Sequence, residues 1–369
     1  MPRLTSAEAA RARSRLLGWF RRHARKLPWR QAKSSYAIWL SEVMLQQTQI
    51  PTVIPYYLRF LAEFPSAAQL AAAPLERVLE LWSGLGYYRR ARNLHLAARL
   101  MADEHDGNFP RDFDEARRLP GVGDYTARAV LSIAYKEPYA VLDGNVARVM
   151  ARLSARRGSL PEPRFRRAIE DHLDRLLSRR SPGNFNQALM ELGQTICLPR
   201  SPECPRCPLR RWCRAYALGK PESYPQPRPR RQAEKWHLAT AVIHRNHRFL
   251  LARGLDDGLL DGLWNFPSAL GKSRSKALAR LSEKLRAAAG IPIAFGEPCQ
   301  KLHHSITYRS IQAEVYVAEL PERLRAKGCR WFAAGKIEQA AVSQLARKVL
   351  HQLAREGPKV RPQRLPGAS

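Results

Sequence analysis

Four cysteines in the pattern Cys197-x6-Cys204-x2-Cys207-x5-Cys213 form the densest set of reactive side chains in the sequence. Thiolates this close can wrap one compact centre, and ligation by four cysteines suits either zinc or a [4Fe-4S] cluster. Structural zinc ribbons usually present two Cys-x-x-Cys knuckles, and this stretch has one. Cys299 and Cys329 stand apart. In a reducing compartment such a grouping points to metal rather than to disulfides. Arg200, Arg206, Arg210, Arg211 and Arg214 decorate the same loop, either solvated or ready to hold phosphates.

A second feature is Leu119-Pro120-Gly121-Val122-Gly123, set between helical runs at Asp114 to Arg118 and Tyr125 to Ala134. Two glycines around a turn expose backbone N–H groups at a helix N-terminus, an arrangement that binds phosphate without reading sequence. Further on, Val141-Leu142-Asp143-Gly144-Asn145-Val146 places a carboxylate where a helix starting at Asn145 would take its N-cap.

These groups must be positioned by two kinds of fold. From Ser6 to Ala217 apolar residues recur at three and four, as in Leu94, Ala97, Ala98 and Met101, which predicts an all-helical half. Pro221, Pro225, Pro227 and Pro229 then mix with Arg228, Arg230 and Arg231, a composition that favours extended backbone over packing. Beyond it, Leu238 to Ile243, Arg248 to Ala252 and Ser310 to Val317 read as strands, with helices at Ser275 to Ala289 and Gln339 to Arg355. The expected architecture is multidomain: an all-α domain over 6–220 holding the cysteine loop 197–213, a linker over 221–235, an α+β domain over 236–355, and a disordered tail over 356–369. A chain of 369 residues also exceeds what one core normally fills, about 250 to 300 residues.

Lys and Arg number 63 against 32 Asp and Glu, a formal net charge of +31. Such a surface attracts polyanions, so nucleic acid is the default partner. An Arg- and Ala-rich composition could inflate the excess without function, yet the field would still hold DNA by counterion release. The N-terminal stretch has no signal-peptide core, and no apolar run approaches the roughly 18 residues of a membrane span. The expectation is a cytoplasmic, nucleoid-associated monomer with no membrane partner.

The cysteine spacing, the glycine hairpin and the Asp143 segment together resemble the endonuclease III superfamily of DNA glycosylases, with its helix-hairpin-helix and Gly/Pro-Asp motif. The segment Trp39-Leu40-Ser41-Glu42-Val43-Met44-Leu45-Gln46-Gln47-Thr48-Gln49 resembles, almost letter for letter, the MutY-type adenine DNA glycosylases. Its other reading is an amphipathic helix with Glu42 on the wet side. Leu27-Pro28-Trp29-Arg30, Gly84-Leu85-Gly86-Tyr87-Tyr88 and Asn186-Gln187-Ala188-Leu189-Met190 fit the same family. Nearly the whole chain is covered.

That resemblance implies a base excision repair enzyme that flips adenine out of double-stranded DNA and hydrolyses its N-glycosidic bond where it is mispaired with 8-oxoguanine or guanine. It implies a [4Fe-4S] cluster on Cys197, Cys204, Cys207 and Cys213. Glu42, protonated in a dry pocket, would protonate the leaving base at N7. An ionised Asp143 would stabilise or capture the oxocarbenium-like sugar. Tyr125 and Asn145 would position that charge and water, while Trp29, Arg30, Leu45 and Gln187 line the base pocket. Gln47 and Tyr87 would wedge into the stack, offsetting the few kcal/mol that extrusion costs. Thr48 would contact the substrate from the same segment, and Gly121, Val122 and Gly123 would hold a phosphate. Superfamily members that also cut the backbone carry a lysine where this chain has Tyr125. A tyrosine cannot form the required imine, so the implied activity is monofunctional.

Three rivals remain: a bifunctional endonuclease III-like glycosylase and lyase, a non-catalytic cluster-bearing DNA-binding protein, and a Nudix hydrolase with a DNA-binding extension. The second half resembles the Nudix-like C-terminal domain of the same family, through Gly258-Leu259-Leu260-Asp261-Gly262-Leu263-Trp264-Asn265-Phe266-Pro267. A working Nudix hydrolase needs clustered glutamates ahead of a glycine. Here Lys284, Ala287, Ala288 and Ala289 precede Gly290, with Glu283 isolated, so pyrophosphatase chemistry is not expected. Relatives read the oxidised guanine through a Phe-Ser-His loop; this chain has His304-Ser305-Ile306-Thr307-Tyr308 instead, which assigns the reading to Thr307 and Tyr308.

Overall fold

The computed structural model describes residues 4–226, 232–255, 257, 262–289, 293, 295–306, 308–318, 328–337 and 340–356. Thr307, residues 258–261 of the Gly258 to Pro267 segment and residues 357–369 of the expected tail 356–369 lie outside these, whereas Glu356 is not in a tail but ends helix Gln344–Glu356. The chain divides into two compact units, Met1–Ala73 with Arg92–Pro229, and Pro74–Ala91 with Arg230–Ser369.

The first unit is helical, as the three-four periodicity predicts. Its first helix, Ser6–His23, opens with a reciprocal capping box between Thr5 and Glu8, which satisfies two orphan N–H groups. Leu16, Trp19 and Phe20 of that helix pack into one core with Val146, Val149 and Met150 of helix Gly144–Ser154, Phe165, Ile169 and Leu173 of helix Pro163–Leu176, and Phe185, Leu189 and Leu192 of helix Pro182–Thr195. Helix Ser35–Leu45 is different: every residue from Ser35 to Met44 is buried. A helix covered all round lies inside the unit rather than on its surface. The amphipathic reading of the Glu42 segment therefore fails, because there is no wet side.

Helices Phe113–Arg118 and Asp124–Ala134 flank the glycine turn. Gly121 sits at φ +79, and a Cβ there would lie 2.8 Å from Asn93 Cβ. Only glycine meets both demands. Gly193 serves a packing role instead. A Cβ on it would lie 2.7 Å from Asn145 Cβ, so its absence lets helix Pro182–Thr195 close onto the helix that carries Asn145. Residues 221–226 of the expected linker pack on this unit, with Arg152 Nε donating to Tyr224 O at 3.0 Å and Gln226 N–H to Gly158 O.

Among the described residues the second unit holds six strands: β1 Glu234–Arg245, β2 Arg248–Ala252, β3 Ser268–Gly271, β4 Gln300–Ile306, β5 Arg309–Ala318 and β6 Cys329–Ala333. β1 thus begins inside the stretch read as linker. The sheet runs β4-β5-β1-β2-β6, with β3 also on β1; β1 and β5 pair in parallel, and the other strand pairings named here are antiparallel. Side chains alternate along β1. Ala239, Ala241 and Ile243 meet Leu281 and Leu285 of helix Arg274–Ala289 on one face, and Val242 meets Ala346 and Val349 of helix Gln344–Glu356 on the other. The result is an α/β sandwich around a mixed sheet. At the place where a Nudix hydrolase would gather glutamates, Lys284 and Arg280 of the first of these helices bind Asp257, at 2.7 and 3.1 Å. Segment 74–91 belongs with this unit by direct contact: Arg253 and Trp264 donate to Glu76 Oε1, and Arg347 Nη2 donates to Ser83 Oγ at 2.8 Å.

Candidate active site

A cavity of about 570 Å³ opens in the helical unit, lined by Trp29, Arg30, Glu42, Leu45, Gln47, Thr48, Tyr125, Asp143, Asn145 and Gln187 among others. Each of these was named from sequence, and they come from segments far apart in the chain. The inward helix Ser35–Leu45 delivers Glu42, 7% exposed. Burial pushes its carboxyl up to about 7; the Tyr125 hydroxyl, which donates to Glu42 Oε2 at 3.1 Å, opposes the shift, and the charge of Asp143 adds to it. Desolvation is the larger influence, so near neutral pH this acid is held half-protonated.

Asp143 is the N-cap that the sequence allowed, and it also lines the cavity. Its Oδ1 accepts the Val146 N–H at 2.6 Å as N-cap of helix Gly144–Ser154, and its Oδ2 accepts from Asn145 Nδ2 at 2.9 Å. The carboxylate is thus fixed by the helix start while still lining the cavity. The strand-like approach to it is clamped by Asn186, fully buried, whose Oδ1 accepts the Val141 N–H and whose Nδ2 donates to Tyr139 O.

Sequence reasoning missed Glu191 and Arg25. Glu191, its side chain 1% exposed, accepts from Arg25 Nε at 2.8 Å and from Arg30 Nη2 at 2.8 Å. The hydrogen bonds from these two guanidinium groups overcome its burial and hold its carboxyl down at about 2. Arg30 also stacks over Phe20 and donates to Arg25 O, so it enters the cavity in one orientation. The available signal was a charged residue inside an otherwise apolar helix face, Leu189 to Leu192.

The other named residues lie elsewhere. Val122 is buried and its N–H is taken by Leu119 O within the turn; Gly123 is the N-cap of helix Asp124–Ala134, with no side chain capping it. Tyr87, 46% exposed, falls in the segment that packs with the second unit. Gln47 and Tyr87 share one unusual property, positive φ at +57 and +50. Non-glycine residues adopt this left-handed conformation at a cost, and it concentrates at functional positions. Tyr308 is exposed in the turn between β4 and β5.

Cys197, Cys204, Cys207 and Cys213 line one small chamber with Ile196, Pro202 and Tyr216. None is in a disulfide. Burial pushes the Cys207 thiol up to about 12 and that of Cys213 to about 11. Metal loading of the chamber must therefore expel protons. Arg152, itself buried, donates from Nη1 to Cys197 Sγ at 3.3 Å and to Leu198 O, and from Nη2 to Pro199 O. Four thiols around an apolar chamber fit a four-cysteine centre. Among the described residues, no three ligating side chains converge as they would on a single ion.

A hairpin between two helices, a buried acid and an N-capping carboxylate in one cavity define a helix-hairpin-helix DNA glycosylase. Residues 40–174 match the HhH-GPD superfamily base excision DNA repair protein family, and residues 239–352 match the NUDIX domain family. The helical unit is also similar to the structure of a thermostable thymine-DNA glycosylase, with TM-score 0.52 and 27% identity over 57% of this chain and 97% of that one. The chain is 35% identical to the adenine DNA glycosylase of Mus musculus, covering 93% of this chain and 78% of that protein. To the adenine DNA glycosylase of Homo sapiens it is 33% identical, covering 93% and 74%. This chain belongs to the adenine DNA glycosylase family: it is a base excision repair enzyme acting on N-glycosyl bonds in DNA.

Proposed function

We propose that this enzyme excises adenine standing opposite 8-oxoguanine or guanine, without cutting the DNA backbone, and that Glu42 is its general acid. The observation that carries this reading is the burial of Glu42 in the same cavity as Asp143, with its carboxyl pushed up to about 7. Adenine leaves badly as an anion and well as a neutral base. Tyr125 occupies Glu42 Oε2 as a donor, so the acidic proton resides on the other oxygen, which passes it to N7 of the flipped base. The bond between the base nitrogen and the anomeric carbon then breaks with its electron pair on the base. Asp143, anchored by two N–H donors, faces the cationic sugar until water adds and gives up a proton, which returns to the Glu42 carboxylate in the same cavity. Asn145 holds Asp143 in place. Trp29, Arg30, Leu45 and Gln187 surround the base, with Arg30 steadied by Glu191. Thr48 contacts the nucleotide, and Gln47 and Tyr87 fill the gap it leaves.

The uncapped N-terminus at Gly123, with Gly121 and Val122 forming the turn, takes a DNA phosphate through backbone N–H groups. Cys197, Cys204, Cys207 and Cys213 hold a [4Fe-4S] cluster, whose contribution is to fold the arginine-bearing loop around it. Tyr308 reads the opposite base, beside Thr307. The protein works as a monomer on double-stranded DNA, cytoplasmic and associated with the nucleoid. No helix among the described residues is long and apolar enough to cross a membrane.

Incubation with a duplex holding adenine opposite 8-oxoguanine, followed by alkali, tests the reading. Strand cleavage only after alkali supports it. An intact strand after alkali, or prompt cleavage trappable by borohydride, contradicts it.

A further inference from the structure

Three strand ends of the second unit meet beside the turn that carries Tyr308. β1 starts at Glu234 opposite Arg309, and β3 ends at Gly271 opposite His237. Trp236 and Arg309 are therefore brought together with Lys272, the residue just after β3. Lys272 Nζ lies 3.6 Å from the centre of the Trp236 ring, and Arg309 Cζ lies 5.4 Å from the same ring and 5.8 Å from that of Tyr308. The indole is itself fixed, its Nε1 donating to Glu234 Oε2 at 3.2 Å, while the Glu234 N–H donates to Tyr308 O at 2.9 Å. Two long cationic side chains are thus held by one ring instead of sampling solvent.

Among the described residues, no carboxylate lies within ion-pair distance of Lys272 or Arg309. One carboxylate is near, that of Glu234, and its Oε2 accepts the Trp236 indole N–H. His304, on β4, is disfavoured from taking a proton by burial and then by the nearby Lys348 and His303. Two ring-held cations beside a single nearby carboxylate suit an anion, and the turn beside them narrows its kind. Arg309 follows Tyr308 directly, and phosphates recur on each DNA strand about every 3.4 Å of helix rise. A cation one residue from a base-reading side chain is therefore within reach of that strand's backbone.

We infer that Lys272 and Arg309, held against Trp236, form a phosphate-binding site for the DNA strand that carries the base opposite adenine. This rests on the reading of Tyr308 given above. The site supplies affinity and register, not sequence information, since phosphate contacts position a protein while base contacts specify.

The test is equilibrium binding of the full-length Lys272→Ala/Arg309→Ala protein across 50 to 200 mM salt. Three duplexes are used, with a non-cleavable adenine nucleotide opposite 8-oxoguanine, opposite guanine and opposite thymine. Two lost phosphate contacts make the slope of log affinity against log salt shallower by about 1.8, so the variant's deficit shrinks roughly tenfold over that range, equally on all three duplexes. The Lys272→Arg/Arg309→Lys protein keeps the wild-type slope. A slope within about 0.9 of wild type, or a loss confined to the 8-oxoguanine duplex, overturns the inference. Tyr308→Ala separates the two ideas: a retained preference for 8-oxoguanine removes the base reader without touching the salt slope.

Discussion

The Tyr125 hydroxyl donates to Glu42 Oε2 at 3.1 Å. Tyrosine at this position thus lowers the acidity threshold of the buried acid that the mechanism depends on, since this hydrogen bond works against the upward push of burial. In Tyr125→Phe the Glu42 carboxyl moves further up. If Glu42 is the general acid, as proposed, excision requires its protonated form, and the rate should fall as pH rises through about 7 in the wild type. The alkaline fall should shift to higher pH in the variant. Single-turnover rates from pH 5 to 9 measure this, and an unmoved or lowered limb refutes it.

Glu42 also makes stability depend on pH. Its folded-state carboxyl titrates at about 7, above the ordinary value of 4.5, so the folded protein binds the extra proton. The stability it contributes is complete below about pH 4.5 and is lost as pH rises through 7. Glu42→Gln removes this term and should be more stable than wild type at pH 8, by about 3 kcal/mol, with little difference at pH 4.5. Urea unfolding at the two pH values checks the sign. Equal gaps at both would mean that Glu42 is not buried as described.

Gly121→Ala should separate DNA holding from chemistry. At φ +79, with Asn93 Cβ 2.8 Å from the added methyl, the turn must distort. Affinity for all duplexes falls about tenfold or more, the scale of a 1.4 kcal/mol loss, whatever base opposes the adenine. A selective loss on one mispair would show that the hairpin reads sequence after all.

For the cysteine loop, the expectation is a brown protein with about four irons per chain. Cys204→Ala should lose iron, visible absorbance and DNA binding together. Elemental analysis after anaerobic purification decides it, and zinc in place of iron contradicts the cluster.

What could be read in advance follows physical lines. Glu42, Tyr125 and Asp143 stood in short contiguous motifs, so spacing in sequence translated into place in the cavity. Glu191 did not: its partners Arg25 and Arg30 lie far away in the chain, and no local pattern pairs them. Segment 74–91 likewise reads as ordinary helix and loop, and its bonds from Arg253 and Arg347 exist only in three dimensions. In the sheet, β1 and β5 were legible because both are apolar, whereas β4, with Lys301, His303 and His304, is too polar to register as a strand. The closing helix was placed too early. Ser343 Oγ accepts the Ala346 N–H at 2.9 Å, and a serine N-cap sets a helix start more firmly than an alanine run does.

The central claim is that Glu42 supplies the proton that releases adenine. Its most direct test is single-turnover excision by purified Glu42→Gln on a duplex with adenine opposite 8-oxoguanine, with affinity measured on the same preparation. An amide keeps the shape but has no acidic proton, so excision should fall by about 10² to 10⁴ while affinity stays within about threefold, under 1 kcal/mol. Excision within a few-fold of wild type by a variant that binds normally would contradict the mechanism.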